Sequence, residues 1–383
     1  WCLTKNCNIT EEQERCKGGV ARCVGNENDS DGRSDKASVE FGFNPATWQM
    51  FAELGWLSSP LDDAHGGFGG GATEVMAVME EMGKGLVVEP FVATVLMFGG
   101  LLNKSGNAAL QDANIEKIID GSLQGSFAYL ERQSRFELAD VKTQAKRDGA
   151  DFVLNGEKTV VSNGMAANKV VVSARTSGEQ CDEAGITLFL IDTDAPGVER
   201  TSYRLMDGQL VANIKLTDVR VAADHVLGEV DKGFTLIETV VGDVIIALCA
   251  EAMGIMQKLN TTTIEYTKTR KQFGVAISSF QALQHRMVDM FMAGEQAKSI
   301  LYRAVCAAES GAEDLPKNIA ALKVMIGRNG KLIGDEAIQL HGGMGLTDEL
   351  NVGHFVKRLM MINTTFGDAD FQQKKFNRLT YSD

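Results

Sequence analysis

Two changes of sequence texture, near Gly121 and near Gly233, constrain the fold more than any other feature. Between them lie short β-branched runs separated by glycine, asparagine and aspartate, a pattern that indicates strands and turns. Before and after them, apolar residues recur at helical spacing. Short strands at such close intervals favour a compact β-barrel or sandwich over a parallel sheet with helical crossovers. The runs are 125–131, 152–162, 168–175, 185–192 and 213–221.

Local signals place the helices and one tight turn. Pro45 suits the first turn of a helix, and Asn155-Gly156 is a strong signal for a two-residue β-hairpin. The glycine-rich stretch 65–71 lacks the pattern of a phosphate loop and indicates a closely packed connection. After residue 362 only a short segment is expected. The expected helices are 9–24, 45–54, 72–103 with a break at 89–90, 108–120, 236–268, 281–310, 315–342 and 347–362.

The order of textures predicts an α+β protein with three domains. Residues 1–122 form an N-terminal helical domain, 123–228 a middle β-domain and 229–383 a C-terminal helical bundle. A chain of 383 residues is too long for one typical core, so more than one domain is expected.

The acidic composition limits the partners. A net charge of −13 argues against nucleic acid and against an anionic membrane surface. No run is expected to reach the length of a membrane span and no signal pattern is visible, which predicts a cytoplasmic protein. Four cysteines crowd the start at positions 2, 7, 16 and 23, but their spacing matches no zinc site, so no metal is expected.

The stretch Thr269–Met290 is the clearest candidate for ligand binding. Arg270 offers a planar fork of donors to phosphate oxygens, and Phe273 offers a ring to a heterocycle. Gly274 lets a backbone come close, and Phe280-Gln281 opens the next helix. The alternative is a helical corner with a solvated arginine, and this stretch alone does not decide between them.

Two C-terminal motifs and the domain order together carry a family resemblance. The motifs are RKQFG…FQALQH, beginning at Arg270, and QLHGGMG, beginning at Gln339. With them the chain resembles the acyl-CoA dehydrogenase family over nearly its whole length. More narrowly it is similar to small subunits of bacterial heteromeric members, of the pimeloyl-CoA dehydrogenase type. Further segments in the expected order are Asn155-Gly156, Asn163-Gly164, 218–221 and 250–254.

The resemblance implies both a fold and an activity. The fold has an N-terminal helical domain, a middle β-barrel-like domain and a C-terminal four-helix bundle, usually assembled as a tetramer. The activity is FAD-dependent α,β-dehydrogenation of an acyl-CoA thioester. A carboxylate takes the α-proton, the cofactor carries the redox step, and an electron-transfer flavoprotein accepts the electrons.

The resemblance also assigns part of a cofactor site. In the family, the arginine and phenylalanine at the positions of Arg270 and Phe273 reach the FAD of a neighbouring subunit. Gln281 matches a nearby glutamine of the same motif and is a further candidate for cofactor binding. The glycine-rich motif contacts the same cofactor, and Gln339, Gly342 and Gly343 match it. In the β-domain, Ser162 keeps the position of a flavin-binding hydroxyl.

Three positions depart from the family pattern. Leu130 stands where a hydroxyl normally bonds the flavin, although the following Glu131 is retained. Val160 stands where a tryptophan normally packs against the ring, which removes a large contact area. Phe366 stands at the usual catalytic glutamate and cannot accept a proton. These departures predict that the flavin ring is not held in this β-domain as in homotetrameric members.

The base therefore has to be sought elsewhere. Some members carry it on the long helix before the arginine motif, where Val244 matches and Asp243 precedes it. Glu251 lies further along the same helix. We consider Asp243 and Glu251 as candidate bases, with a solvated charge and a buried packing acid paired with a cation as the respective alternatives.

Three functions remain open at this point. The first is an acyl-CoA dehydrogenase, as one subunit of a heteromeric enzyme. The second is a non-catalytic partner that completes the FAD site of a paired chain. The third is a flavin oxidase of the same fold.

Overall fold

The computed structural model describes residues 42–381. The predicted helix 9–24, the polar stretch after it and the four N-terminal cysteines lie outside the described residues. Asn44 caps the first described helix by accepting from the Ala46 amide at 2.9 Å, and Pro45 follows it at the first helical position. The helical segments before the sheet are α1 (Pro45–Glu53), α2 (Ala72–Lys84), a π-helical segment (Val92–Gly99) continuing into α3 (Gly100–Asn103), and α4 (Ala108–Ile119).

The middle part is a single eight-stranded sheet, and a strand lies in each of the five β-branched runs. Its strands follow the order β6-β7-β3-β2-β4-β5-β8, and β1 pairs with β4. The neighbours are mostly antiparallel, apart from β1 with β4 and a short parallel contact of β2 with β4. The strands are β1 (Gly125–Ala128), β2 (Gln144–Asp148), β3 (Asp151–Ser162), β4 (Lys169–Arg175), β5 (Ile186–Asp192), β6 (Val198–Arg204), β7 (Leu210–Val221) and β8 (Val226–Leu227).

The hairpin predicted at Asn155-Gly156 is wrong. Both residues lie inside β3, where the register with β7 shifts between Leu154 and Gly156. The Asn155 amide exchanges two hydrogen bonds of 3.0 Å with Asp218 on β7, so tertiary pairing overrides the local turn preference. Strands β2, β6 and β8 were also missed, because their sequences are polar or too short to show β periodicity.

Long helices follow the sheet. A two-residue hairpin, β9 (Lys271–Gln272) and β10 (Val275–Ala276), separates the first two of them. The predicted short segment after residue 362 is wrong, because α9 occupies most of it, and Asp368 caps that helix by accepting from the Phe371 amide at 2.9 Å. The helices are α5 (Gly233–Thr269), α6 (Gln281–Glu309), α7 (Leu315–His341), α8 (Val352–Thr364) and α9 (Ala369–Tyr381).

Helix α5 corrects one expectation from composition. Over the described residues it is the one helix long and apolar enough to cross a membrane, with a mean hydropathy of 1.9 over its most apolar window. Of that window, 61% is buried inside the protein. A buried core helix of this length meets the same criterion, so the helix is weak evidence for a span.

The described residues divide into two compact units. One contains residues up to 70 together with 88–244, and the other contains 71–87 together with residues from 245 onward. The first unit is centred on an apolar cluster between the strands, which includes Leu154, Val172, Phe189 and Ile214. The boundaries of the three predicted domains stay a prediction.

In the second unit, α2 and α5 cross at two glycines. A Cβ on Gly83 would lie 2.1 Å from the Glu251 carbonyl oxygen, and a Cβ on Gly254 would lie 1.9 Å from the Glu80 carbonyl oxygen. The backbones of the two helices are therefore in direct contact, and no flexible side chain can yield at this point.

We expect Gly254→Ala to destabilise the chain by at least about 1–3 kcal/mol, because the two helices must move apart to admit one methyl group. Gly330→Ala in α7 is the matched control. Its added Cβ meets only ordinary contacts at 3.5 Å, and helix propensity favours alanine by up to about 1 kcal/mol. Denaturant unfolding of both variants tests the crossing, and equal free energies of unfolding would contradict it.

Candidate functional site

The arginine motif lies on a tight hairpin between α5 and α6. The Arg270 carbonyl accepts from the Ile277 amide at 2.9 Å, which closes the base of the hairpin. Phe273 and Gly274 form its tip with φ values of +55° and +83°. A two-residue turn with both central residues at positive φ matches the right-handed twist of the strands, and glycine takes such a conformation without strain.

This hairpin presents a free cation beside an exposed ring. Arg270 is exposed, and its guanidinium has no ion-pair or hydrogen-bond partner among residues 42–381. Phe273 is 91% exposed and meets Phe280 edge to face at 6.1 Å between ring centroids. Gln281, the first residue of α6, is exposed next to them. The guanidinium, the aromatic pair and the amide are all accessible to a ligand.

Tyr266 and His341 bring the two sequence motifs together. Their rings stack at 4.3 Å, and the Tyr266 hydroxyl donates to the His341 carbonyl at 3.2 Å. The His341 Nδ1–H donates to the Ala337 carbonyl at 2.8 Å, and burial lowers the pKa of this imidazole below its ordinary value. His341 is therefore a neutral packing residue that fixes the end of α7 against the end of α5.

Beyond His341, the chain exposes bare backbone. Gly342 has a φ of +61°, and a Cβ on Gly342 or on Gly343 would meet no atom within 4 Å. Gln339 is exposed one turn earlier on α7. The structure therefore places Gln339, Gly342 and Gly343 beside the helix end that leads into Arg270, with open space over both glycines.

In the first unit, Ser162 stands at the end of β3. Its carbonyl accepts from the Ser126 hydroxyl at 2.6 Å, whereas its own hydroxyl has no partner in the described part of the chain. Two residues earlier, Val160 adopts a φ of +53° at a β-bulge, which is strained for a β-branched residue. The hydroxyl of Tyr203 accepts from the Val160 amide at 3.2 Å. No sequence pattern points to Tyr203, because its contact with Val160 depends on strand register.

Glu131 is held by a fully buried lysine. The Lys158 ammonium donates to the Glu131 carboxylate at 2.8 Å and to the Ser173 hydroxyl at 3.0 Å. The Thr143 amide also donates to the carboxylate, at 3.1 Å. Burial raises the pKa of Glu131, but the charge of Lys158 and the hydrogen bonds outweigh it and hold this pKa at about 2. Burial lowers the pKa of Lys158, and Glu131 opposes that shift.

The two candidate bases lie in different surroundings. Asp243 is half exposed and pairs with Lys104 at 2.7 Å, whereas Val244 beside it is fully buried. Glu251 is 4% exposed, and its carboxylate receives two hydrogen bonds from Arg358 on α8, at 2.6 and 2.8 Å. This bidentate arrangement is the paired packing acid that the sequence left as the alternative for Glu251.

Phe366 lies in the turn between α8 and α9. Its side chain is 7% exposed, its φ is +57°, and its carbonyl accepts from the Gln372 side chain at 2.7 Å. An apolar ring in this turn offers no proton acceptor, and the adjacent Asp368 carboxylate is engaged in capping α9.

A helical part, an eight-stranded sheet and a helical bundle carrying an arginine hairpin together define a flavin-dependent dehydrogenase fold. In chain order, three family models match: the acyl-CoA dehydrogenase N-terminal domain over residues 7–122, the middle domain over 126–219 and the C-terminal domain over 231–378. The chain belongs to the acyl-CoA dehydrogenase family. The resemblance drawn from the motifs is thereby confirmed.

Individual relatives agree with this assignment. A probable acyl-CoA dehydrogenase of Bacillus subtilis, YngJ, is 30% identical over 336 residues, which is 86% of this chain and 88% of the relative. A structure of a variant of the Tcur3481–Tcur3483 steroid acyl-CoA dehydrogenase superposes with a TM-score of 0.87 at 26% identity, covering 97% and 98% of the two chains. The ChsE4–ChsE5 complex of Mycobacterium tuberculosis shares the fold, with a TM-score of 0.89 at 22% identity over 99% and 100%.

Proposed function

We propose that the protein is an FAD-dependent acyl-CoA dehydrogenase that works as one subunit of a heteromeric enzyme. The observation that carries the proposal is the Arg270 guanidinium, which is accessible and unpaired among the described residues, beside the exposed Phe273 ring. An accessible cation next to an accessible ring suits a cofactor that combines phosphates with a planar heterocycle. Family membership makes that cofactor FAD.

The residues present fit this cofactor. The open space over Gly342 and Gly343 admits a ligand against the backbone, and the free hydroxyl of Ser162 offers a hydrogen bond. FAD, when bound, supplies hydride acceptance. The chain supplies the rest. Arg270 neutralises phosphate charge, and Phe273 at the tip of the hairpin offers its ring. The exposed amides of Gln281 and Gln339 offer further hydrogen bonds.

The proton acceptor stays a prediction. Phe366 cannot serve, so the base lies elsewhere in the chain or on a partner subunit. Of the two candidates, Asp243 is accessible and needs only to exchange Lys104 for substrate. Glu251 would first have to break two hydrogen bonds to Arg358. A base must reach the substrate proton, so we favour Asp243 over Glu251.

The assembly is proposed from the departures and from one relative. The absence of a glutamate at the usual position of the base leaves proton abstraction to a paired chain, and the Tcur3481–Tcur3483 name joins two different proteins. We therefore propose a tetramer with a second acyl-CoA dehydrogenase chain, an acyl-CoA substrate, an electron-transfer flavoprotein as acceptor and a cytoplasmic location. Relatives named as dehydrogenases do not favour the oxidase or the non-catalytic alternative.

The visible spectrum of the purified chain tests the proposal. The chain is prepared alone and after co-expression with a second acyl-CoA dehydrogenase chain from the same organism. We expect flavin in the preparation and bleaching of its visible band when acyl-CoA is added. A preparation that carries no flavin in either form, or whose flavin no acyl-CoA bleaches, would contradict the proposed activity. Rapid peroxide formation instead would assign an oxidase.

Arg270→Ala is expected to weaken FAD binding about tenfold or more, because a charge-assisted hydrogen bond contributes about 1.5–3 kcal/mol. Lys271→Ala is the matched control, since it removes the same charge from the neighbouring exposed residue. FAD titration into apoprotein gives both dissociation constants. Equal constants for the two variants would remove Arg270 from the site while leaving the dehydrogenase assignment in place.

A further inference from the structure

Strand register places Tyr203 in line with Ser162. Tyr203 on β6 lies opposite Val211 on β7, and Val211 lies opposite Ser162 on β3. Residues directly opposite each other project from the same face of a sheet. The next residues along β3 and β7, Val161 and Ala212, also lie opposite each other, and Val161 faces the apolar cluster between the strands. Tyr203, Val211 and Ser162 therefore form one row on the face turned away from that core.

The Tyr203 ring crosses this face. Neighbouring strands are about 4.8 Å apart, so the row from β6 to β3 spans roughly 10 Å. The Tyr203 hydroxyl reaches the Val160 amide on β3 at 3.2 Å. To do so, the side chain must extend over β7 at Val211, which is only 1% exposed although it lies on the outward face. The phenol ring consequently crosses the outward face of β7, and its hydroxyl lies at the bulge.

Several polar atoms on this part of the sheet have no hydrogen-bond partner among residues 42–381. The Tyr203 oxygen accepts one hydrogen bond, and its own proton has no acceptor in the described part of the chain. Asn213 stands opposite the bulge, and its Oδ1 is buried without a hydrogen bond. Leaving a buried acceptor unpaired costs about 1–3 kcal/mol. The Tyr203 proton and the free Ser162 hydroxyl can therefore both donate hydrogen bonds to a polar, planar ligand on this face.

We propose that Tyr203 supplies the aromatic contact to the flavin ring on the β-domain face, in place of the aromatic side chain that Val160 lacks. The inference rests on the proposed function, because it takes FAD as the ligand. The bulge at Val160 carries only an isopropyl group, and a phenol from two strands away contacts its backbone amide. The ring contact is thus moved from β3 to β6.

Two substitutions separate ring contact from support of the bulge. Tyr203→Leu keeps apolar bulk but removes the ring, and Tyr203→Phe keeps the ring but removes the hydrogen bond to Val160. Stacking on an aromatic side chain contributes enough that we expect Tyr203→Leu to raise the dissociation constant of FAD about tenfold. We expect Tyr203→Phe to bind FAD within about threefold of the original chain. Tyr302→Leu on α6 is the matched control and leaves the constant unchanged.

Flavin emission gives a second readout that a purely structural role would not move. A phenol in contact with a flavin quenches its emission by donating an electron to the excited ring, whereas the phenyl ring of phenylalanine and the isobutyl group of leucine do not. Emission per bound FAD should therefore rise in both Tyr203 variants and stay constant in Tyr302→Leu. All chains are measured in the assembly that retains FAD, with thermal unfolding of each apoprotein alongside.

The outcomes distinguish this inference from the proposed function. If the original chain binds no FAD in any assembly, both are overturned. If it binds FAD but Tyr203→Leu matches it in affinity and emission, only the assignment of Tyr203 is overturned. If Tyr203→Phe weakens binding as much as Tyr203→Leu, with equal loss of thermal stability, Tyr203 serves the bulge and not the flavin.

Discussion

Glu131→Ala is expected to destabilise the protein by about 3–5 kcal/mol, because it leaves the ammonium of Lys158 buried without its counter-charge. Lys158 is fully buried and contacts Glu131 at 2.8 Å. The remaining acceptors, the Ser173 hydroxyl and a carbonyl, are neutral. Urea unfolding of the variant and of the original chain at neutral pH measures the difference.

A double replacement provides the control for this pair. Glu131→Gln combined with Lys158→Met removes both charges at similar volume, and such exchanges are often neutral within about 1–2 kcal/mol. We therefore expect the double variant to be more stable than Glu131→Ala. If Glu131→Ala were as stable as the original chain, the ion pair between Glu131 and Lys158 would contribute nothing to stability.

The same pair predicts a dependence on pH. The pKa of Glu131 is held at about 2, below its ordinary 4.5, so the folded state binds this proton less readily than the unfolded chain. The stabilisation is complete above about pH 4.5 and is lost as the pH falls through the folded pKa near 2. The gap in unfolding free energy between the original chain and Glu131→Gln should narrow below about pH 4.5 and stay constant above it.

Glu251→Ala is the second large effect, with an expected loss of about 3–5 kcal/mol. The carboxylate is buried and accepts two hydrogen bonds from Arg358, so removing it takes this counter-charge away from a guanidinium that is only 11% exposed. Asp243→Asn is the matched control on the same helix, because its pair with Lys104 is exposed and contributes about 0–1 kcal/mol. Denaturant unfolding compares the two.

Activity separates packing from catalysis at Glu251. We expect Glu251→Gln to lose stability while any folded fraction still bleaches flavin with acyl-CoA. A Glu251→Gln chain that is as stable as the original but no longer bleaches would contradict the packing role and identify the base. Loss of bleaching in Asp243→Asn alone, with stability unchanged, would assign that role to Asp243.

Much of the fold follows from local pattern. Periodicity places the long helices to within a few residues, since α5, α6 and α7 each bury a continuous apolar stripe. The apolar strands can likewise be predicted, because each is a local run of β-branched residues. Polar edge strands such as β6, and α9 with its many charges, escape detection because their periodicity is weak. Asn155-Gly156 misleads because pairing with Asp218 outweighs its turn preference.

In the candidate site, too, some features follow from the sequence and others depend on the tertiary structure. Residues 270–281 and 339–343 are contiguous motifs, so the sequence alone indicates which polar and aromatic groups they offer. The structure brings the two motifs together through the contact between Tyr266 and His341. The sequence also shows that a valine, Val160, stands at the position where the family resemblance implies an aromatic ring. It cannot show which residue replaces the ring, or that Lys158 pairs with Glu131, because both depend on which strands become neighbours.

The sequence alone determined the succession of a helical part, a β-part and a second helical part, the family, and the Arg270 hairpin as a candidate ligand site, since each depends on patterns within single segments. Tertiary structure decided which side chains meet on the outward face of the β-domain sheet. Tyr203 and Val160 lie 43 residues apart in sequence and meet at 3.2 Å, because the register of β6, β7 and β3 aligns them. The aromatic ring missing at position 160 is thereby replaced by a ring from another strand. Only the pairing of backbone donors and acceptors across the sheet determines that these two residues meet.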